Sequence, residues 1–186
     1  MSSDLRLRAA TAADIPIIAQ LHTDSWLRTY RGVLSDAYLD DDLLGERHRA
    51  WSTYFASPPA SQLLLLAEHR GAAVAFACAI GADDPDHGTL LSNLHVKQSL
   101  QGRGFGAILV REVARWTLFT HPGMGLFLWA LEANTAARQF YLRLGGEESG
   151  AKMWQPPAGP PVAEVRYTWA RPQVLLVEKA EHRMNS

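Results

Sequence analysis

The chain reads as an α/β domain with a largely antiparallel front half, and three features say so. Short alternating or continuous apolar segments are separated by clusters of glycine, proline and aspartate, as strands are. Other stretches carry apolar residues at a spacing of about 3.6, as amphipathic helices do. In sequence order these give roughly β-α-α-β-β-β-α-β-α-β-β. The length of 186 residues suits one domain, and 47% hydrophobic with 20% charged residues is ordinary globular usage. That much apolar surface offsets the entropy of ordering, which excludes a disordered or collagen-like chain.

Leu5-Arg6-Leu7-Arg8 alternates as a half-buried strand. Thr11 to Asp14 reads as a capping box, with Ile15, Ile18 and Leu21 at helical spacing behind it. Pro16 fits only the first turn of that helix. Ser35 to Phe55 reads as helix, with a break expected near Gly45. Ser57-Pro-Pro-Ala-Ser61 is a loop. Gln62–Glu68 and Val74–Ile80 form a hairpin about Arg70-Gly71. After the turn at Asp83–Gly88, Thr89 to Val96 resumes the strand pattern. Gly102, Gly104 and Gly106 then open a helix whose apolar stripe is Ile108, Leu109, Val113 and Trp116. Gly125 to Ala130 is a short strand, and Thr135 to Leu144 a helix stopped by Gly145-Gly146. Ala163 to Trp169 is the last strand; the order implies one before it that no pattern locates.

Eighteen Lys and Arg against nineteen Asp and Glu leave a net charge of −1, so the basic footprint of a nucleic-acid binder is missing. The single cysteine, Cys78, sits in an apolar run and reads as a small core residue. One cysteine makes no internal disulfide and no Cys-rich zinc site, so no metal is expected and a cytoplasmic location is. Met1-Ser2-Ser3-Asp4 does not open a signal peptide. The longest apolar run, Ala72 to Ile80, falls far short of the roughly 20 residues of a membrane span.

The most informative stretch is Leu94-His-Val-Lys-Gln-Ser-Leu-Gln101-Gly102-Arg103-Gly104-Phe105-Gly106. A strand runs into a glycine-rich turn and then a helix. Successive backbone N–H groups and the helix dipole at such a junction suit a diphosphate, with Arg103 adding charge at the rim. The bland alternative is a plain strand-to-helix turn. No Gly-Lys-Ser/Thr triplet follows, so this is not a P-loop. A dinucleotide fingerprint matches only if Ala107 replaces its third glycine, and no acidic residue stands near position 126 for the ribose.

Gln101-Gly-Arg-Gly-Phe-Gly106 resembles the Q/R-x-x-G-x-G/A signature of the GNAT superfamily of acyl-CoA-dependent N-acyltransferases. Downstream, Asn134-Thr-Ala-Ala-Arg-Gln-Phe140-Tyr141-Leu-Arg-Leu-Gly145 resembles that superfamily's N-x-x-A-x-x-F-Y-x-x-x-G segment. With the opening strand and helix, the resemblance covers roughly residues 5 to 170. It implies one domain over 1–170 with a tail over 171–186. The implied fold is a mixed, mostly antiparallel V-shaped sheet flanked by helices, with two central parallel strands splayed apart. It implies acetyl-CoA as co-substrate in that gap. Backbone amides of Gln101, Gly102, Arg103, Gly104, Phe105, Gly106 and Ala107 would hold the pyrophosphate. Leu94 and Val96 would pair with the pantetheine arm, and Asn134 would bond it or shape the turn. Tyr141 would lie near the thioester sulfur.

Acetyl transfer to an amine needs a neutral amine, a stabilised oxyanion and a leaving thiolate. Tyr141, with an ordinary pKa of roughly 10, can protonate the departing sulfur. Many superfamily members carry a glutamate base on the preceding strand; this sequence has Ser92-Asn93-Leu94-His95 there instead. His95 is the candidate base, and Ser92 could position a water. Strict alternation puts His95 on one face with Asn93, and Ser92 on the other with Leu94 and Val96. The alternatives are that His95 only packs, or that a water chain takes the proton.

Trp26 and Tyr30, four apart on one helix face, are candidate walls of the acceptor pocket or else core. Their segment resembles relatives with an S-W-x-x-T-Y-x-G pattern, some described as polyamine acetyltransferases. Asp36, Asp40, Asp41, Asp42 and Glu46 would either attract a cationic amine or form a solvated face. Trp129, Trp154 and Trp169 add pocket wall or core. The apolar run Val174 to Val177 would pack on the domain or on a second subunit, and a homodimer is a common superfamily arrangement. The reading is an N-acetyltransferase moving acetyl from acetyl-CoA to a primary amine of a small molecule by direct attack in a ternary complex. The alternative is a non-catalytic acyl-CoA sensor on the same fold.

Overall fold

A computed structural model of the protein describes residues 4–177. Its strands are β1 (Leu5–Ala9), β2 (Gln62–His69), β3 (Ala72–Asp84), β4 (Gly88–Val96), β5 (Leu126–Leu131), β6 (Glu147–Trp154) and β7 (Val162–Trp169). Its helices are α1 (Ile15–Tyr30), α2 (Asp36–Leu39), α3 (Leu43–Ala56), α4 (Phe105–Thr120) and α5 (Thr135–Arg143). One sheet runs in the order β1-β2-β3-β4-β5-β7-β6. Every neighbouring pair is antiparallel except β4 and β5. This is the mixed, mostly antiparallel sheet expected. The parallel pair is joined only at Thr89–Leu126 and Leu90–Phe127, so the two strands part beyond Leu90.

The alternation of β3 explains the layers. Ala75, Ala77 and Ala79 face one side and are small, which lets α4 lie close with Leu109, Val110, Val113 and Ala114 fully buried against them. Phe76 and Cys78 face the other side and meet Ile18, Leu21 and Trp51 of α1 and α3. Each fully buried large apolar side chain contributes about 1.5–3 kcal/mol, so both faces anchor their helices. A short 3-10 turn (Pro172–Leu175) docks on α4: Leu175 is buried and its carbonyl accepts from Arg111 Nε at 3.1 Å. Val174 and Val177 of the apolar run are exposed, and residues 178–186 of the tail lie outside the described residues.

Two expectations are corrected and one missing strand is located. The break between α2 and α3 falls at 40–42, not at Gly45. Asp42 caps the new helix by accepting from Gly45 N at 3.0 Å, so the glycine stands in the first turn. The strand that no pattern located is β6. Seven of its eight residues are exposed, so it carries no apolar alternation. Strict alternation also fails in β4. Cys78 pairs with Asn93 but Ala79 with Leu91, which leaves Ser92 as a one-residue bulge.

Candidate active site

The splay of β4 from β5 makes a gap, and two connected cavities fill it. The larger, about 970 Å³, runs from the β4 end over the start of α4 to α5. The smaller, about 470 Å³, lies between Leu90–His95 of β4 and Leu128–Leu131 of β5. Leu94, His95, Asn134 and Tyr141 line both, so the cavities meet there.

The glycine turn enters the larger cavity. Gly102 and Gly104 hold φ of +76° and +86°, and a Cβ on either would project into open space. The N–H groups of residues 102–107 donate to no acceptor among the described residues; the first helical bond is Ile108 N to Gly104 O. An α-helix start with this many idle donors has the chemistry to hold an anion, and the helix dipole adds partial positive charge. Gly106 brings α4 close to α5: a Cβ there would meet the Phe140 ring at 3.3 Å. Gln101 Nε2 donates to the Val96 carbonyl at 3.2 Å, tying the turn to the strand. Leu94 and Val96 sit on the β4 edge that β5 leaves unpaired. Arg103 is exposed, and the Phe105 side chain is core.

Asn134 caps α5, its Oδ1 accepting from Ala137 N at 3.1 Å. That cap sets α5 so that Tyr141 turns towards both cavities. The phenol packs near Tyr167 and Trp169 and makes no hydrogen bond to the described residues. Burial pushes its pKa well above the ordinary value, so the hydroxyl keeps its proton.

His95 and Asn93 share the α1 face of the sheet. His95 lies 5.1 Å from the Phe76 ring and 4.7 Å from His22 of α1. Burial, with the Arg28 and Arg47 charges, pushes His95 down to about 3. Burial, with His95 and Arg47, pushes His22 to about 2. Trp51 Nε1 donates to His22 Nδ1 at 3.2 Å, which also requires a neutral ring there. Both imidazoles are thus neutral across the physiological range, and the Trp51 bond occupies the acceptor nitrogen of His22. The bulged Ser92 lines the smaller cavity and donates to the Cys78 carbonyl at 3.1 Å.

Trp26 and Tyr30 both line the smaller cavity, their rings 4.4 Å apart, and Trp154 of β6 closes on them at 6.1 and 5.7 Å. Trp129 adds wall, whereas Trp169 is core. The acidic run does not reach either cavity. Asp36 and Asp40 pair with Arg31, Asp42 with Arg49, and Glu46 with Tyr38 and Arg47. Sequence reasoning did not single out His22, Arg47, Lys152 or Glu164 as lining the pocket. They come from α1, α3, β6 and β7, and no local spacing joins those elements.

The profile of the Acetyltransferase (GNAT) family matches residues 19–146. A probable N-acetyltransferase of Mycobacterium tuberculosis is 29% identical over 169 residues, which span 89% of this chain and 93% of that protein. Among solved structures, the PaiA N-acetyltransferase of Thermoplasma acidophilum, in complex with coenzyme A, superposes with a TM-score of 0.64 at 17% identity. That match covers 89% of this chain and 99% of the other. A spermidine N-acetyltransferase variant of Vibrio cholerae gives 0.66 at 16% identity, covering 93% and 97%. No helix among the described residues is long and apolar enough to cross a membrane. Sheet order, splayed strands, the glycine turn and the family match agree: the chain belongs to the GNAT family of acetyltransferases.

Proposed function

We propose that this protein transfers acetyl from acetyl-CoA to a primary amine of a small molecule, by direct attack within a ternary complex. The observation that carries this reading is the meeting of two cavities at Tyr141 and His95. One cavity ends in an anion cradle, the other in an aromatic pocket, so donor and acceptor have separate entrances and one junction.

The donor fits the larger cavity by its chemistry. The idle N–H groups of residues 102–107 suit a pyrophosphate, and the unpaired edge of Leu94 and Val96 suits an amide-bearing arm. Asn134, its Oδ1 spent on the cap, keeps its Nδ2 donors for the same arm. The thioester supplies the activated acyl group. The amine nitrogen attacks its carbonyl carbon, and the carbon–sulfur bond breaks. Tyr141 gives its proton to the departing sulfur. His95 is the candidate base at the junction; because burial disfavours its protonated form, it passes the proton that the amine sheds on to a water, which Ser92 is placed to hold nearby. Trp26 and Tyr30 hold the body of the acceptor.

Thiol release from acetyl-CoA across a panel of amines tests the reading. Release with one class of amine, with initial-rate lines that intersect as both substrates vary, is the expected result. Parallel lines would mean an acetylated enzyme and overturn direct attack. No release with any amine would overturn the enzyme assignment for small molecules.

A further inference from the structure

We infer that the acceptor carries a carboxylate besides its amine, and that Arg47 of α3 binds it; this rests on the acetyltransfer reading above. The observations are of charge and of idle donors. Arg47 lines the smaller cavity, and its side chain is 11% exposed. Its guanidinium carbon lies over the Trp26 ring, 4.2 Å from the centroid. Nη2 donates to Glu46, which stands outside the cavity lining. Nε is buried without a hydrogen-bond partner, and Nη1 bonds to nothing among the described residues. Glu46 meets one end of the guanidinium; donors at the other end, brought so far from water, are costly to leave idle unless a second acceptor meets them.

Glu46 pairs with Nη2 from outside the lining, and among the described residues the lining itself offers no acidic group to the idle Nε and Nη1. The one other cation there, Lys152, lies 3.4 Å from Glu164 Oε2 and stacks over Trp129 at 4.2 Å. Lys152 and Glu164 cancel, and Glu164 is the only acidic residue of the lining. His22 and His95 are neutral. A polyamine would bring several positive charges to a pocket whose single carboxylate is already paired. An amine bearing a carboxylate brings the complementary one. The aromatic walls of Trp26, Tyr30 and Trp154 add the need for an apolar body, so the class is an amino acid with an apolar or aromatic side chain.

Matched amines test this without any variant. Phenylalanine against phenethylamine, and leucine against isoamylamine, differ only in the carboxylate; spermidine is the third arm. With wild type, kcat/KM by thiol release is expected to be roughly ten- to a hundredfold higher for the acid of each pair. In Arg47→Met that ratio should collapse towards one, through KM of the acid, while Arg47→Lys keeps part of it. Equal or faster release with the decarboxylated amines or spermidine would overturn the inference and leave the acetyltransfer reading intact. So would a preference unchanged in Arg47→Met. If no amine is turned over, the acetyltransfer reading fails, and calorimetry with N-acetylphenylalanine in the presence of CoA decides the carboxylate site. Binding weakened at least about tenfold in Arg47→Met supports it; no binding, or equal binding, overturns it.

Discussion

Gly104→Ala separates what the glycine turn does for folding from what it does for binding. Gly104 holds φ of +86°, in the left-handed region that an L side chain enters at a cost of about 1–2 kcal/mol. In a domain of this size that lowers Tm by about 2–8 °C. The added Cβ meets no protein atom within 4 Å, so packing adds nothing to the cost. It stands instead where an anion would approach the idle N–H groups. Losing one charge-assisted hydrogen bond there weakens binding by roughly ten- to a hundredfold. Gly71→Ala is the matched control: its φ is +77°, its Cβ also meets open space, and it lies in the β2–β3 turn outside both cavities. Both variants should therefore lose similar stability by thermal unfolding. Calorimetry should find weaker CoA binding only in Gly104→Ala, with pantetheine binding little changed. Equal CoA affinity in the two variants would refute the cradle, whatever their stabilities.

Two further predictions concern titrating groups. The Arg8 guanidinium, bonded at 2.7 and 2.8 Å, together with Thr11 N, holds the Asp14 carboxyl well below the usual range. A depressed carboxylate stabilises fully above its unfolded pKa of roughly 4 and loses that contribution as pH falls through its folded value. Asp14→Asn should cost about 2–3 kcal/mol in urea unfolding at pH 7, and its stability should fall less than that of wild type from pH 5 to pH 3. A parallel loss in both proteins would remove Asp14 from the acid sensitivity. His95, held down to about 3, stays neutral at any working pH. The acid limb of the kcat/KM profile should therefore follow the pKa of the amine when two amines of different basicity are compared. A limb near 6–7 that ignores the amine and disappears in His95→Ala would contradict this.

How much was legible depended on whether the signal was local. The glycine turn, Asn134 and Tyr141 lie in two short segments whose resemblance to GNAT motifs singles them out, and they line one cleft. Trp26 and Tyr30 sit one helical turn apart on α1 and stayed together. β6 was not locatable because an exposed edge strand carries no burial pattern to read. The α2–α3 break falls at the Asp42 cap and not at Gly45, because a glycine in a helix's first turn looks in sequence like a helix stop. The Ser92 bulge had no glycine to mark it. The acidic run leaves a cationic acceptor and a solvated face both open in sequence, which shows charges but not their partners; Arg31 and Arg49 take up Asp36, Asp40 and Asp42, none of which lines either cavity. Arg47, the charge that does line the pocket, lies on a helix whose approach to β6 and β7 is settled only by tertiary packing.

Tyr141→Phe puts the proposed chemistry to one test. The substitution keeps the ring against Tyr167 and Trp169 and removes only a hydroxyl that bonds to none of the described residues. Folding should therefore be unaffected, while kcat for thiol release with the preferred amine falls about a hundredfold or more, the scale of losing a general acid. Unchanged kcat in a folded variant would contradict the assignment of the proton donor.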